Sequence, residues 1–370
     1  MPSKSSENKT YRNFITGRRK ISSLCQSMLL SDHFVLFLTV FYFVVIWLIY
    51  PHMASRRNFA NLSSNMWPLL TLVIGQMFVL IVGGIDLSQT SVMALTSVMG
   101  AMIMTSHLDP AQFDKNPLWN IVLNKNGGLL AENGFAVPVA VIVMLAVGIC
   151  IGLFNGFAVA KLKMPPFMVT LVSMFFFSGL AIFLTRSENI IHLPTAYIWI
   201  GKGTLVFVPF SFFIALVLSA GSYIVLKMTV IGQWFYAVGR NVKAALVSGV
   251  PTEWVVILAY MFSGFCAALG SILYSARLEM GRPTLGKNLL LDIIGAAVIG
   301  GISLFGGKGK VLWAVYGVLF FVVLSNSLNK MPLEFYSIDI IKGCVILLAA
   351  VMDVARTRLF KNQGSLRAVL

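Results

Sequence analysis

Apolar residues gather into long runs that hold almost no charge, separated by short stretches that carry most of the charged residues and much of the turn chemistry. A helix crossing the hydrocarbon core needs ~20 mostly apolar residues. The runs predict ten such helices, at 34–50, 66–84, 87–106, 136–160 and 167–184 in the first half and at 208–226, 254–275, 291–306, 311–328 and 335–352 in the second. The eighth and tenth are short enough to be tilted, broken or shielded by neighbours. The expected fold class is an all-α polytopic membrane protein with two five-span halves. Five spans per half make any internal duplication an inverted one, and one faint echo points that way. Asn155 precedes Lys163-Met164-Pro165 where the fourth span ends, and Asn326 precedes Lys330-Met331-Pro332 where the ninth ends.

Composition agrees with this pattern. Of 370 residues, 58% are hydrophobic and only 11% charged, with a mean hydropathy of +0.86. These values exclude a disordered chain, a secreted disulfide scaffold and a cytosolic enzyme. The net charge of +15, from 28 Lys+Arg against 13 Asp+Glu, raises the question of nucleic acid. The basic residues lie between apolar runs and form no continuous stripe, so they read as topology signals and no nucleic-acid partner is expected.

With a cytoplasmic N-terminus, the inside segments collect the basic tail (Lys4, Lys9, Arg12, Arg18, Arg19, Lys20), Lys161, Lys163, Lys227, Arg240, Lys243, Lys308, Lys310 and the C-terminal Arg356, Arg358, Lys361 and Arg367. They outnumber the outside set, in which Arg56 and Arg57 are the main objection. Both termini are therefore expected inside. The division is a basic cytoplasmic tail over 1–32, a membrane domain over 33–353 with an external loop at 107–135 and a cytoplasmic segment at 228–252, and a basic tail over 354–370. The N-terminal tail is too long and polar for the start of a cleaved signal peptide. The external loop holds Pro110, Pro117, Asn124, Asn126, Gly127 and Gly128 and reads as a plain polar loop rather than a folded cap.

Four cysteines (Cys25, Cys150, Cys266, Cys344) and four histidines (His33, His52, His107, His192) make no metal-ligand or redox spacing. Neither metal nor disulfide is expected, and no nucleophile, base and third group share a span, so the chain is not expected to be an enzyme. The informative residues are small or polar ones at membrane depth. Gly83-Gly84-Ile85-Asp86-Leu87-Ser88 joins two apolar runs with almost no loop, freeing main-chain groups where lipid cannot satisfy them. It is either a tight turn in which Asp86 caps the next helix or a discontinuous pair lining a translocation path. Gly148, Gly152 and Gly156 recur every fourth residue on one helix face and favour close helix packing. Lys342 in the last span is expected to pair with Asp339, three residues earlier on the same face. Gly306-Gly307-Lys308-Gly309-Lys310 resembles a phosphate-binding loop only superficially, because glycine stands where its lysine is required. From Lys227 to Glu253 runs the longest inside connection, in which Asn241 can cap a short amphipathic helix that Gly249 and Pro251 stop. Such a helix is either an interfacial link or a knob that docks into a soluble partner.

In order along the chain, these motifs resemble the permease subunits of bacterial ABC importers of the ribose, galactose and xylose type. Residues 83–88 match that family's GGIDLS. Gly152-Leu153-Phe154-Asn155-Gly156 matches its GLxNG, and Pro165-Pro166-Phe167-Met168-Val169-Thr170-Leu171 its PPFIVTL. Ala237-Val238-Gly239 through Ser248-Gly249-Val250 is similar to its AIGGNxxAAxxSGI, and Leu291-Asp292 with Gly300-Gly301 and Gly306-Gly307 to its LDAIAAxxxGGxSxxGG. Lys342-Gly343 follows its KG in the last span.

The resemblance implies a multi-pass inner-membrane permease for a sugar, paired with a second copy or paralogue, a pair of ATPase subunits and an external solute-binding protein. No cofactor would be bound by this chain; ATP and Mg would sit on the ATPase. By the same implication Gly83, Gly84, Asp86, Ser88, Asn155 and Asp292 would lie near the translocation pathway. Gly239, Arg240, Asn241, Lys243, Ala244, Ala245, Ser248 and Gly249 would touch the ATPase. Departures from the family pattern are Gln89-Thr90 in place of the usual Val-Gly, and Arg240 with Val242-Lys243 where glycine and acidic residues are common. They imply a basic coupling surface facing a more acidic groove. The alternative from another class is a secondary transporter or channel acting alone, and within the importer class pentose, hexose and nucleoside all fit.

Overall fold

The computed structural model describes residues 31–351 apart from 115, 132 and 335. The two basic tails, apart from residues 31 and 32, and with them Cys25, lie outside the described residues. Helices are α1 Phe34–Ile49, α2 Arg56–Ile81, α3 Gln89–Met104, the short α4 Pro110–Phe113, α5 Ala136–Ala160, α6 Pro166–Thr185 and α7 Thr195–Lys202. They continue with α8 Phe210–Met228, α9 Val230–Arg240, α10 Val242–Val247, α11 Thr252–Leu278, α12 Leu290–Gly300 and α13 Val311–Lys330, and α14 is the helical stretch 336–351. A two-stranded antiparallel hairpin, β1 Thr204–Leu205 and β2 Val208–Pro209, precedes α8.

Six helices (α2, α5, α6, α8, α11 and α13) are long and apolar enough to cross a membrane, and α1, α3 and α12 are shorter apolar helices. The chain is thus a helical, multi-pass membrane protein, and every charge-free run of the sequence lands on a helix. Boundaries shift for identifiable reasons. Helix α2 begins at Arg56, ten residues before the apolar run, because its polar first turns are held from α11. Arg277 Nη1 donates to Ser64 O (2.9 Å) and Asn65 Oδ1 (2.6 Å), and its Nη2 to Asn61 Oδ1 (3.2 Å). Helix α12 ends at Gly300 rather than 306, since Gly301 takes φ +99° and turns the chain.

Helices α2 and α11 form the centre, burying most of their length, with α3, α5 and α13 packed around them. The glycine stripe of α5 makes that possible. A Cβ on Gly148 would lie 2.5 Å from Gly264 O, one on Gly152 2.2 Å from Tyr260 O, and one on Gly156 2.8 Å from Ile257 Cα, all on α11. Only bare backbone fits between these two helices. By contrast α6 and α8 bury about a fifth of their apolar windows and leave Phe175, Phe176 and Val217 outward.

The 107–135 segment is a folded cap, not the plain polar loop expected from its turn residues. Leu108, Phe113 and Leu123 are buried within it, and Asn116 Nδ2 donates to Leu184 O. Its main chain also satisfies the free carbonyls at the end of α3: Gly128 N donates to Thr105 O (2.8 Å), Leu129 N to Met102 O (3.1 Å) and Leu130 N to Ile103 O (2.9 Å). Gly127 and Gly128 sit where a Cβ would strike those same carbonyls.

The three exposed ion pairs fall on two faces. Lys161 pairs with Glu253 and Lys310 with Asp32 (2.6 Å) on the face that carries α9 and α10, while Lys202 pairs with Glu279 on the opposite, cap face. No pair joins the two faces among the described residues.

Candidate functional site

The Gly83–Ser88 break is wedged between α2, α3 and α11, exposed at Gly83 but buried from Asp86 to Ser88. Asp86 is 2% exposed, and its carboxylate is the sink of two hydrogen-bond chains. In one, Ser173 Oγ on α6 donates to Asn155 Oδ1 on α5, Asn155 Nδ2 donates to Ser88 Oγ (2.8 Å), and Ser88 Oγ donates to Asp86 Oδ1 (2.6 Å). In the other, Gln89 Nε2 donates to Ser263 Oγ (2.8 Å) and Ser263 Oγ to Asp86 Oδ2 (2.6 Å). Ser88 N also donates to Oδ1 (2.9 Å), so Asp86 tethers the turn that enters α3. The Gln76 amide faces the Asp86 main chain, meeting its O at 3.0 Å and its N at 3.3 Å. Thr170 Oγ1, from the Pro-Pro segment that opens α6, donates to Ile85 O (3.1 Å). The freed main-chain groups of the break are thus met by Gln76 from α2, Thr170 from α6 and the Asp86 carboxylate itself, the kind of compensation that a break at membrane depth requires.

This network ties α2, α3, α5, α6 and α11 to one carboxylate. Asp86, Ser88 and Asn155 were legible in the sequence; Gln76, Ser173 and Ser263 were not. The signal for Ser173 and Ser263 was a pair of polar side chains three apart within an apolar run, Thr170 with Ser173 and Tyr260 with Ser263. The departure at Gln89 also has a structural use: its amide bonds both Ser263 and Leu72 O (3.2 Å).

Three glycine motifs distant in sequence meet at a second point. Gly239 approaches the end of α2 so closely that a Cβ would lie 1.7 Å from Ile81 O and 2.5 Å from Gly307 N. Gly306, at φ +87°, faces Gly83 and Gly239 O, and Gly307 N donates to Ile81 O (2.8 Å). The amide that a phosphate-binding loop would offer is committed to α2. Tyr236 Oη donates to Gly309 O (2.7 Å), and burial raises this phenol above its ordinary pKa, so it stays a neutral donor. Helix α9 is therefore fixed to both halves of the chain.

From that fixed point α10 projects outward. Asn241 takes the extended conformation of a cap, its Oδ1 accepting from Ala244 N (3.0 Å), and Gly249 closes the helix at φ +82°. Ala245 is buried (4% exposed) while Leu246 (62%) and Val247 (90%) point away from the protein. Arg240, Asn241, Lys243, Ala244, Ser248 and Gly249 are exposed around them, whereas Gly239 is spent on packing.

Asp292 stands apart from the Asp86 network. It lies in the first turn of α12, and Lys342 Nζ donates to its Oδ1 at 2.7 Å with both side chains about nine-tenths buried. The expected Lys342–Asp339 pair gives way to this one. A helix-surface i,i+3 pair at a partly exposed Asp339 gains less than a pair across a buried interface, where each charge would otherwise be stranded.

A bundle of apolar helices, polar at one buried break and carrying a capped knob on one face, is the architecture of an integral membrane protein. Residues 58–350 match the family described as the branched-chain amino acid transport system / permease component, and the chain belongs to that family. It is 32% identical over 304 residues to the probable ABC transporter permease protein y4mJ of Sinorhizobium fredii, covering 82% of this chain and 83% of that one. It is 31% identical over 312 residues to the ribose import permease protein RbsC of Bacillus subtilis, covering 84% and 88%. To the galactofuranose transporter permease protein YtfT of Escherichia coli it is 31% identical over 292 residues, covering 78% and 77%. No solved structure matches the chain.

Proposed function

We propose that the chain is the membrane-spanning subunit of an ATP-driven importer that moves a pentose or hexose across a bacterial inner membrane. The observation that carries this reading is the match of one family over 58–350 together with relatives named for ribose and galactofuranose import. Ten helices cross the bilayer in this reading: the six long ones, the short α1, α3 and α12, and α14. The α9–α10 face, with Asp32, Lys161 and Lys310, is cytoplasmic, and the cap over 107–135 is external.

Helix α10 docks into an ATPase subunit through Leu246 and Val247, with Arg240 and Lys243 meeting an acidic rim. Its rigid mounting supports that role, because a knob transmits motion only if its base does not yield. ATP and Mg belong to that subunit. A second permease copy or paralogue packs on this one, an external binding protein delivers the solute to the cap face, and the two permeases switch between outward and inward states. The pathway carries a polar solute past Ser88, Asn155 and the backbone of the Gly83–Ser88 break without an ionisable relay, since the Asp86 carboxylate is already committed to its hydroxyl donors.

Uptake of labelled ribose, xylose and galactose by cells with and without the gene tests the reading. Uptake of at least one is expected to fall on deletion, to resist collapse of the ion gradients and to stop when ATP is depleted. Uptake that follows an ion gradient instead assigns the chain to the secondary transporters.

A further inference from the structure

We propose that the β-hairpin tip Val206-Phe207 is a lipid-interface anchor, seated in the headgroup layer beside α8 on the cap face. The register Thr204↔Pro209 and Leu205↔Val208 leaves a two-residue turn, and both turn residues have positive φ, +48° at Val206 and +69° at Phe207. Such turns favour asparagine, aspartate and glycine because a Cβ, above all a branched one, crowds the main chain there. Here the strained positions instead hold two apolar side chains, 88% and 93% exposed. Nothing in the described protein covers them, so the conformation displays them outward rather than packing them.

The depth of the tip follows from the helix it precedes. Helix α8 has 19 residues, which at ~1.5 Å per residue matches the ~30 Å hydrocarbon core. Phe210, its first residue, therefore sits at the hydrocarbon edge. Phe207 lies three residues upstream, so it is at most ~10 Å from Phe210 along the chain. That range spans the headgroup layer and falls short of bulk solvent for a hairpin that folds back. The outward face of α8 is apolar, with Leu216, Val217 and Ile224 exposed, so the hairpin stands at the lipid-facing rim of the bundle.

Neighbouring residues have the chemistry of that layer. Trp199 is 46% exposed and meets Phe210 in a tilted ring contact, centroids 4.8 Å apart, and Lys202, paired with Glu279, places a charge one turn further on. Aromatic rings with adjacent basic residues are the usual occupants of a bilayer interface. The anchor would fix the height and tilt of α8, whose own protein contacts are few.

The test uses the full-length protein, cysteine-free and carrying Phe207→Cys labelled with an environment-sensitive fluorophore, in phosphatidylcholine/phosphatidylglycerol vesicles. Ile121→Cys on the cap, 75% exposed, is the aqueous reference. Blue-shifted emission at 207 and stronger quenching there by headgroup-labelled nitroxide lipid than at 121 are expected. Equal quenching at the two sites overturns the proposal. So does a blue shift at 207 that appears only when a soluble external binding protein is added, which would make the tip a protein-docking element.

Discussion

Lys342 Nζ on α14 donates to Asp292 Oδ1 at the start of α12 across 2.7 Å, within an apolar interface. The pair holds a short helix of eleven residues that the following Gly301 turn would otherwise leave poorly anchored. Removing one partner strands the other charge, so Lys342→Met or Asp292→Leu alone is expected to cost about 3–5 kcal/mol. The double variant is expected to recover most of that loss, and Asp339→Asn to change little. Thermal unfolding in detergent reads all four, and a large loss from Asp339→Asn with little from Asp292→Leu would reinstate the local pair.

The glycine junction predicts a sharp contrast among glycines. Gly239→Ala places a methyl 1.7 Å from Ile81 O, and is expected to destabilise by about 1–3 kcal/mol or more through overpacking. Gly179→Ala in α6 and Gly221→Ala in α8 meet nothing within 4 Å. In these helix interiors they are expected to stabilise by about 0.5–1 kcal/mol. Unfolding midpoints of the three variants check the ranking.

The Asp86 network predicts that its members fail together. Asn155→Ala leaves the buried Ser173 and Ser88 without their shared partner, a loss of about 1–3 kcal/mol. Ser263→Ala and Asp86→Asn are expected to resemble it, and the double variant Asn155→Ala/Ser263→Ala to be non-additive because both chains end on one carboxylate. Measured unfolding of single and double variants decides the point. A fully stable Asp86→Asn protein with no uptake would make Asp86 a pathway group instead of a structural hub.

Much of the architecture was legible in the sequence because lipid imposes a simple rule: charge-free runs become helices. The Asn241 cap and the Gly249 stop were legible too, since caps are local chemistry. What the sequence hid was non-local. No spacing links Gly83, Gly239 and Gly306, which meet only after three segments fold together. Arg277 draws α2 out to Arg56 from more than two hundred residues away, and Lys342 prefers Asp292, fifty residues off, to its neighbour Asp339. The Val206-Phe207 turn carries none of the residues by which such turns are recognised.

The cap at Asn241 predicts a separable effect. Asn241→Ala is expected to cost about 1 kcal/mol in local helix stability, while Asn241→Asp keeps the acceptor and the helix. Hydrogen exchange at the amides of 244–247 is expected to accelerate in the alanine variant alone. Unchanged exchange in that variant would show that packing of Ala245, not the cap, holds α10.

Assembly of the proposed importer depends on α10 as the docking element. The most direct measurement is recovery of partner subunits with the tagged protein from its own membranes, comparing wild type with Leu246→Ser/Val247→Ser. Both side chains are exposed, so the variant is expected to fold as the wild type does yet lose a stoichiometric soluble subunit bearing a nucleotide-binding loop. Retention of that subunit by the folded variant, or its absence from the wild type in several mild detergents, would contradict the account.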